Sequence, residues 1–532
     1  MTAGPISAQT GATRSARRSY HPGWGWWVAA AVVLLPALIP PLTLLWQVIS
    51  SGTGASIPMT RLAELFAGTI ALTATVTITA LAIGTATAWL TSRTDLPGRR
   101  IWMLLAALPL VIPSYMAALT IIGATGPGGL LTGWLGVEIP IPYGFVGAWM
   151  ALSLFLAPMA HLIVTPGLRA IDPATEEAAN GLGAGRWKVF FTVTLPQLRP
   201  ALISAGLMVG LYTVSDFGAV SLLRFDTFTR AIYTLYAGQI DRRPAATLSV
   251  VLMVLALVIL AVERRVRTRA GYRTASTKRA RRPIGLGRGQ AAAALAFLGG
   301  YATVTLLIPV SVLLYWLTRG VGAGNEIGSI WDEMARSMTV AVIAAMMAVV
   351  AAYPVAMVTT WRRRPRLSGL VDTSAWAAYS LPHIAVGVAV VAFALQFLRP
   401  LYQSLALLVA VYVGMFLAQA ASPIQDSLRR ASPDLEDASR GLGHGAAQTL
   451  ARITVPITTP GILAGAALVF ISVMKELPAT LLLRPNEFET LAIRIWSATG
   501  EGFYTRASAA SLALLGVSIV PLLVMTNRDL RT

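Results

Sequence analysis

Three charged side chains lie inside long apolar stretches of the sequence. Asp216 and Glu476 are separated by 260 residues, and Lys475 directly precedes Glu476. A charge at the centre of a bilayer costs roughly 3 kcal/mol or more unless it is paired or hydrated. The carboxylates could contact a passing hard cation or form a gate in a membrane path. Alternatively, Lys475 neutralises its neighbour in a structural ion pair, or the charges mark a helix-breaking hinge.

The same spacing separates two arginines that end these apolar stretches. Arg224 and Arg484 could anchor the segments at the membrane interface, or they could contact a protein outside the membrane. Both pairs belong to one internal repeat, because residues 172–224 align with residues 432–484 without a gap and are identical at 15 of 53 positions. Shared apolar composition would not align Pro, Glu, Gly and Arg in register, so the sequence indicates a duplicated unit.

A polar loop opens each copy of this repeat. Asp172 or Ser432 can cap a short helix, and a proline follows at the first helical position. The carboxylate of Glu176 or Glu436 is favoured near this positive helix end. A Leu-Gly pair then permits a left-handed turn, and a second amphipathic stretch follows. The pattern predicts a compact helix–turn–helix with a surface suited to a docked partner.

These loops resemble the EAA loop of ABC importer permeases, whose pattern is E-A-A-x-x-x-G followed by an apolar stretch and L-P. The first copy fits from Glu177 to Gly183, with residues 195–196 as the Leu-Pro pair. The second copy departs from the pattern, because Asp437 and Ser439 replace the glutamate and the second alanine. The two copies in equivalent places make the resemblance specific.

In that family the loop holds a coupling helix that sits in a groove on each ATP-binding subunit. The resemblance implies that Glu177 and Asp437 face donor groups there and that Gly183 and Gly443 form the sharp turn. Since Asp has a shorter reach than Glu, we expect two unequal contacts. The residues assigned to ATPase coupling are Glu176, Glu177, Ala178, Gly181, Leu182, Gly183, Glu436, Asp437, Ala438, Gly441, Leu442 and Gly443.

No phosphate-binding loop of the type G-x-x-x-x-G-K-[ST] occurs in the sequence. We therefore expect no catalytic residues, with ATP hydrolysis by two copies of a separate ATP-binding subunit. The chain has no Cys, and its four His residues show no metal-binding spacing. We expect no bound metal and no cofactor, and we interpret His161 and His383 as structural residues.

The composition places the chain in the membrane class. It has 532 residues, of which 55% are hydrophobic and 12% are charged, about half the charged share of a soluble protein. The fold class predicted is an all-α integral membrane protein with about twelve transmembrane helices in two parallel six-span repeats. The predicted spans are 26–48, 68–91, 101–122, 143–165, 201–223, 246–262, 291–316, 337–360, 374–397, 401–421, 461–483 and 507–525.

Lys and Arg set the orientation of these spans. With the N-terminus in the cytoplasm, 30 of them fall on the cytoplasmic side and 11 on the other, so both termini and both coupling loops are predicted to be cytoplasmic. The net charge of +19 is explained by this bias, and we expect a lipid bilayer rather than nucleic acid as the partner. The predicted divisions are a tail (1–25), a first permease half (26–262), a basic linker (263–290) and a second half (291–532).

Two segments narrow the resemblance. Val214–Tyr233 and, more specifically, Val473–Trp496 resemble the matching segments of iron(III)-type ABC permeases. This implies a bacterial inner-membrane importer that receives substrate from an extracytoplasmic binding protein and works by alternating access. Related permeases for thiamine, polyamines, sulfate or phosphonate share the architecture and stay as alternatives. An ion-coupled secondary transporter is a more distant one.

Overall fold

The computed structural model is helical almost throughout the residues that it describes. The capping residue Ser432, most of the predicted tail and the centre of the predicted linker lie outside those residues. The described residues are 23–50, 57–137, 139–269, 283–360, 365–431 and 433–529.

Within the described residues, the first half of the chain contains twelve helices. Two further segments interrupt them, a 3-10 turn at Leu108–Val111 and a π-helical segment at Phe190–Thr194. The helices are α1 (Trp24–Ser50), α2 (Met59–Arg93), α3 (Arg99–Ala107), α4 (Ser114–Thr125), α5 (Leu130–Leu135), α6 (Phe145–Ala170), α7 (Pro173–Gly181), α8 (Arg186–Val189), α9 (Leu195–Ser215), α10 (Gly218–Leu222), α11 (Phe228–Gly238) and α12 (Arg243–Arg269).

The second half has a similar order, except that a π-helical segment divides its first span and a 3-10 turn stands where the first half has α5. Its π-helical segments are Thr303–Leu307 and Leu450–Thr454, and a 3-10 turn covers Arg399–Leu401. The helices are α13 (Arg288–Ala302), α14 (Ile308–Gly322), α15 (Ile330–Thr360), α16 (Pro365–Ser380), α17 (His383–Phe397), α18 (Leu405–Arg430), α19 (Pro433–Gly441), α20 (Ala446–Thr449), α21 (Val455–Met474), α22 (Pro478–Leu483), α23 (Leu491–Gly500) and α24 (Tyr504–Asp529).

The number of membrane-length helices is close to the number predicted from the sequence. Ten helical segments within the described ranges are long and apolar enough to cross a membrane, or eleven if α16 and α17 count as one bent span. α24 is a further 26-residue helix that contains the predicted stretch 507–525. The all-α membrane fold predicted from the sequence is therefore confirmed, with a count close to the predicted twelve.

Four of the predicted spans are not continuous helices. The stretches 101–122, 201–223, 374–397 and 461–483 each contain a break, and α16 meets α17 at 98°. A proline follows or lies at three of the breaks, where it removes a backbone donor and clashes with the preceding turn. Broken helices persist at membrane depth only where protein or a water-filled cavity satisfies the freed backbone groups, which directs attention to the space between them.

The breaks occur at matching places in the two halves. In the first half they follow Ala107 and Ser215, and in the second half they follow Ser380 and Met474. The helices before and within the polar loops also correspond. α6 and α18 start 260 residues apart, and so do α7 and α19. The repeat seen in the sequence is thus a structural repeat.

The first span of each half packs against the other half. α1 lies against α15, α16, α17 and α18 of the second half as well as α12 of its own. In return, α14 lies against α4, and Trp316 donates its indole hydrogen to the carbonyl oxygen of Gly123 at 2.8 Å. Tyr301 likewise donates to the carbonyl oxygen of Leu154 at 3.0 Å. The two halves are therefore interlocked by an exchange of their first spans.

Candidate functional site

The first polar loop folds as a short helix, a tight turn and a second helix. The Asp172 carboxylate caps α7 by accepting a hydrogen bond of 3.0 Å from the backbone nitrogen of Ala174. The chain then turns at Gly183, whose φ is +82°. A Cβ there would meet nothing within 4 Å, so glycine is required for the backbone conformation and not for space.

The second polar loop has the same backbone. α19 ends in a turn at Gly443, where φ is +85° and a Cβ would again meet nothing within 4 Å. In both loops a four-residue helix and a π-helical segment then lead into the long helix α9 or α21. π-helical segments are rare and often occur at functional sites.

The glutamates Glu176 and Glu436 point into the protein. Glu176 accepts hydrogen bonds from the Thr194 hydroxyl at 2.7 Å and from the guanidinium of the buried Arg93 at 2.5 Å. Glu436 accepts a hydrogen bond from Thr454 at 2.7 Å. Since both threonines end a π-helical segment, each carboxylate fastens a loop helix to the membrane helix that follows it.

The acids next to them point outward. Glu177 and Asp437 are exposed, and the leucines before the turn, Leu182 and Leu442, are 90% and 80% exposed. An apolar side chain that protrudes from a polar loop is typical of a surface that another protein covers. The remaining predicted coupling residues are also exposed: Ala178, Gly181, Gly183, Ala438, Gly441 and Gly443.

The first loop carries an aromatic cluster that the second lacks. Trp187 and Phe191 are 77% and 58% exposed, and their rings stack with centroids 6.3 Å apart. The residues 260 positions later are Ala447 and Ala451. The exposed surfaces of the two loops therefore differ far more than their backbones do.

Ser439 stands where the motif has alanine, and its contacts give this difference a local structural reason. Ser439 is buried, and its hydroxyl lies 3.2 Å from Nδ1 of His444 and 3.1 Å from the Thr449 hydroxyl. Ala179 and Ala184 occupy the corresponding positions in the first loop. Serine in place of the motif's alanine thus adds side-chain contacts within the second turn.

Asp216 and Glu476 lie at helix breaks and cap the helices that follow. Asp216 accepts hydrogen bonds from the backbone nitrogens of Ala219 at 3.1 Å and Val220 at 3.3 Å. Glu476 accepts one from Ala479 at 3.0 Å. Both carboxylates also line a cavity of about 160 Å³ between the two halves. The structure therefore brings the predicted path residues together and also gives them a helix-capping role.

Lys475 and Glu476 have separate partners on the wall of this central cavity. Lys475 donates from Nζ to the carbonyl oxygen of Leu110 at 3.2 Å, across the junction between the halves. The other oxygen of Glu476 lies 2.6 Å from Nδ1 of His383. His383, interpreted as structural from the sequence, stands at the start of α17 and lines the cavity.

Three tyrosines on the cavity wall were missed by the sequence analysis. Tyr115, Tyr212 and Tyr379 all line the cavity beside the carboxylates. None of them repeats in the other half: Tyr212, for example, aligns with Ser472. A search for repeated charges could not find them, and the only signal was a phenol within an apolar span.

Arg224 and Arg484 lie at the end of the bundle opposite the polar loops. Arg224 is exposed, has a φ of +57°, and places its guanidinium 4.8 Å from the ring centre of Tyr143. Arg484 donates to the carbonyl oxygen of Phe488 at 3.3 Å and lies 3.7 Å from Glu489. Both are fixed in place, which suits an interfacial anchor and a docking contact equally.

A second charged cluster lies at the same end. Asp226 accepts a hydrogen bond of 2.7 Å from Arg61 and another from Arg230. Burial raises the pKa of Asp226, but the hydrogen bond from Arg61 and the charge of Arg230 outweigh it, and the pKa is held below its usual value. Asp226 therefore stays ionised at neutral pH and ties the start of α2 to the segment before α11.

The fold and these loops define a membrane-embedded transport subunit. Residues 80–269 and 348–531 match the family described as "Binding-protein-dependent transport system inner membrane component", and the chain belongs to that family. It is a multi-pass inner-membrane permease of an ABC importer and not an enzyme. Permeases of this family work with ATP-binding and substrate-binding subunits.

Individual relatives extend this similarity. The chain is 29% identical over 511 residues to the Fe(3+)-transport system permease protein FbpB 2 of Haemophilus influenzae, which covers 94% of this chain and 97% of the relative. It is 31% identical over 185 residues to the molybdenum transport system permease protein ModB of Escherichia coli K12, covering 33% and 80%. It is 34% identical over 134 residues to the sulfate transport system permease protein CysT of Escherichia coli K12, covering 25% and 48%.

Proposed function

We propose that this chain is the permease of an ATP-driven importer for iron(III). The observation that carries the proposal is the end-to-end similarity to the Fe(3+)-transport permease of Haemophilus influenzae, which includes both halves in one chain. The similarity to ModB and CysT, in contrast, covers one third of this chain or less. Hard carboxylate oxygens on the cavity wall support the same substrate class.

The proposed path runs through the central cavity, with Asp216, Lys475 and Glu476 as path or gate residues. These side chains sit where helices break, so a rocking motion of the halves moves them relative to one another. The bond from Lys475 to Leu110 crosses between the halves and has to break when they separate. We infer alternating access, with outward opening driven by ATP binding and reset by hydrolysis.

The proposed partners follow from the two ends of the bundle. Two copies of an ATP-binding subunit dock at the polar loops, one on α7 and one on α19, through Glu177, Asp437 and the exposed leucines. The excess of Lys and Arg on that side supports a cytoplasmic position for the loops and for both termini. An extracytoplasmic binding protein delivers substrate at the other end, where Arg224 and Arg484 are its proposed contacts. The proposed divisions are the halves 26–262 and 291–532, with a basic linker between them.

A reconstituted importer tests this proposal. The permease is purified with its ATP-binding subunits, placed in proteoliposomes with ATP inside, and supplied with iron(III)-loaded binding protein outside. We expect iron uptake that requires ATP and the binding protein. Uptake of iron that needs an ion gradient and no ATP-binding subunit would contradict the ABC mechanism and favour a secondary transporter.

An oxyanion permease is the second candidate function. Lys475 and His383 line the cavity and could attract an anion, and permeases for molybdenum and sulfate are among the relatives. The same proteoliposomes distinguish the two, because molybdate or sulfate uptake in place of iron would overturn the iron proposal.

A further inference from the structure

The central cavity has two unlike walls. One wall belongs to the first half and carries Tyr115, Tyr212, Ser215 and Asp216, which we call the oxygen wall. The second half contributes Lys475, Glu476 and His383, which we call the charged wall, and also Tyr379. The two walls differ at aligned positions of the internal repeat: Ser215 aligns with Lys475, and Tyr212 aligns with Ser472.

The polar atoms of the charged wall already have partners within the protein. Glu476 uses one oxygen for the backbone nitrogen of Ala479 at 3.0 Å and the other for His383 at 2.6 Å. Lys475 is held by the carbonyl oxygen of Leu110 at 3.2 Å. A passing cation would have to displace these contacts to reach the Glu476 carboxylate.

On the oxygen wall two hydroxyls lack a partner within the described residues, whereas the Asp216 carboxylate already accepts hydrogen bonds from the backbone nitrogens of Ala219 and Val220. Tyr115 is only 2% exposed, and among the described residues neither its phenol oxygen nor the hydroxyl oxygen of Ser215 has a hydrogen-bond partner. Tyr212 is 44% exposed and lines the same cavity, so its ring faces an open space. Leaving a buried hydroxyl without a partner costs about 1–3 kcal/mol, a cost that would be removed if the side chain turned its oxygen toward a ligand in the cavity.

The chemistry of this wall matches one class of ligand. Phenol, hydroxyl and carboxylate oxygens are hard donors that prefer small, highly charged cations over soft metals or large organic molecules. The cavity of about 160 Å³ holds a metal ion with a few waters. No cluster of three or more His, Cys, Asp or Glu side chains with metal-binding geometry occurs in the described residues, so a tight chelate of that kind is not what this cavity offers.

We propose that the oxygen wall is the substrate-contacting side of the path, where Tyr115, Tyr212 and Asp216 bind a hard cation transiently. This inference rests on the proposed iron(III) function and names the residues that select the substrate. A phenol that binds the cation releases its proton to cavity water. The charged wall contributes the Lys475 ammonium as a fixed positive charge, whose repulsion keeps the cation from being trapped.

Two readouts test the oxygen wall. Iron(III) bound to a phenolate absorbs visible light by charge transfer, so the purified importer is titrated with ferric nitrilotriacetate and its absorption recorded. Uptake in proteoliposomes is measured in parallel. We expect the wild type to show the absorption band, and the double variant Tyr115→Phe, Tyr212→Phe to lose it and to need at least tenfold more loaded binding protein for half-maximal uptake.

Tyr412→Phe is the matched control. Tyr412 is equally buried, but its hydroxyl lies 2.6 Å from that of Thr480, and it does not line the cavity. We expect this variant to keep both the band and the uptake curve of the wild type. An unchanged band and unchanged half-saturation in the double variant would overturn the inference.

The outcomes separate this inference from the proposed function. If the wild type takes up no iron, the iron(III) proposal fails. If the wild type takes up iron and the double variant does so with the same half-saturation, only the oxygen wall fails. Lys475→Met tests the repulsion by this positive charge: we expect tighter half-saturation with slower maximal uptake, and a faster maximal uptake would contradict it.

Discussion

The two polar loops have almost the same backbone and present different surfaces. Each has a nine-residue helix, a glycine near φ +82° or +85°, and a glutamate bonded at 2.7 Å to a threonine. Yet the first loop exposes Trp187 and Phe191 where the second has alanines. The features that fix each loop to the membrane helices are therefore duplicated, whereas the exposed side chains available to a partner have diverged.

Such a pattern is expected if both loops transmit the same motion to different contacts. A motion passes only through a helix that is held rigidly, which explains why the glutamate–threonine bonds occur in both. The partner surface has no such requirement, since affinity depends on a few well-packed side chains. Four sets of substitutions test whether the two loops differ in this way.

The largest effect is expected from the turn glycines. Gly183→Val and Gly443→Val place a branched side chain at positive φ, which costs about 1–2 kcal/mol and moves the loop helix. We expect either variant to abolish ATP-driven uptake while the protein still inserts in the membrane. Gly185→Ala is the control, because this glycine lacks a positive φ and has open space around it. Unchanged uptake in both valine variants would refute the coupling role of the turns.

The next effect concerns the pair formed by Arg93 and Glu176. Glu176→Ala leaves the Arg93 charge buried without this carboxylate, a change that typically costs about 3–5 kcal/mol. We expect ATP hydrolysis to continue with uptake reduced at least tenfold, since α7 loses its tie to α2. Adding Arg93→Met should restore part of the uptake, measured as a double-mutant cycle. If the losses of uptake from the two single substitutions simply add in the double variant, a direct link between Arg93 and Glu176 is contradicted.

A smaller effect should fall on the first loop alone. Trp187→Ala combined with Phe191→Ala removes an exposed aromatic pair, and such anchors are often worth about 2 kcal/mol or more. We expect the affinity for the purified ATP-binding subunit to fall by at least tenfold. Leu442→Ala in the second loop should weaken binding less. Equal losses from the two changes would show that the aromatic pair is not an anchor.

The smallest effect is expected at Ser439. Ser439→Ala removes hydrogen bonds to His444 and Thr449 and should cost about 0.5–1.5 kcal/mol. We expect a slightly lower melting temperature of the purified permease with uptake near wild type. Ala179→Ser in the first loop is the reciprocal change, and because Ala184 offers no side-chain partner it should give no stabilisation. A large loss of uptake from Ser439→Ala would instead indicate that this residue contributes to docking and not only to the stability of the turn.

Much of the fold could be read from apolar length and from the repeat. Membrane-length stretches and the two loops follow from local rules, since hydrocarbon forces the backbone into helices and a left-handed turn favours glycine. The helix breaks were harder to foresee, because apolar residues continue through them. At Asp216 the break contains no proline at all, and only the capping bonds to Ala219 and Val220 reveal it.

The sequence predicted only part of the candidate site, for a related reason. Repetition identified Asp216 and Glu476, and the structure does bring both to one cavity. Tyr115 and His383 have no matching partner in the other half, so their roles depend on contacts between distant segments. The His383 bond to Glu476, for example, joins residues 93 positions apart in sequence.

The exchange of first spans has a consequence for biosynthesis. α1 is made at the start of translation, but the helices it packs against, α15 to α18, emerge roughly 300 residues later. At about 5–20 residues per second, α1 waits on the order of 15–60 s in the bilayer before these second-half partners exist. During that interval lipid or an insertion factor must cover the face that later meets the second half. Ribosome-bound chains that end before α15 should therefore crosslink α1 to its surroundings, and longer chains should progressively lose that crosslink.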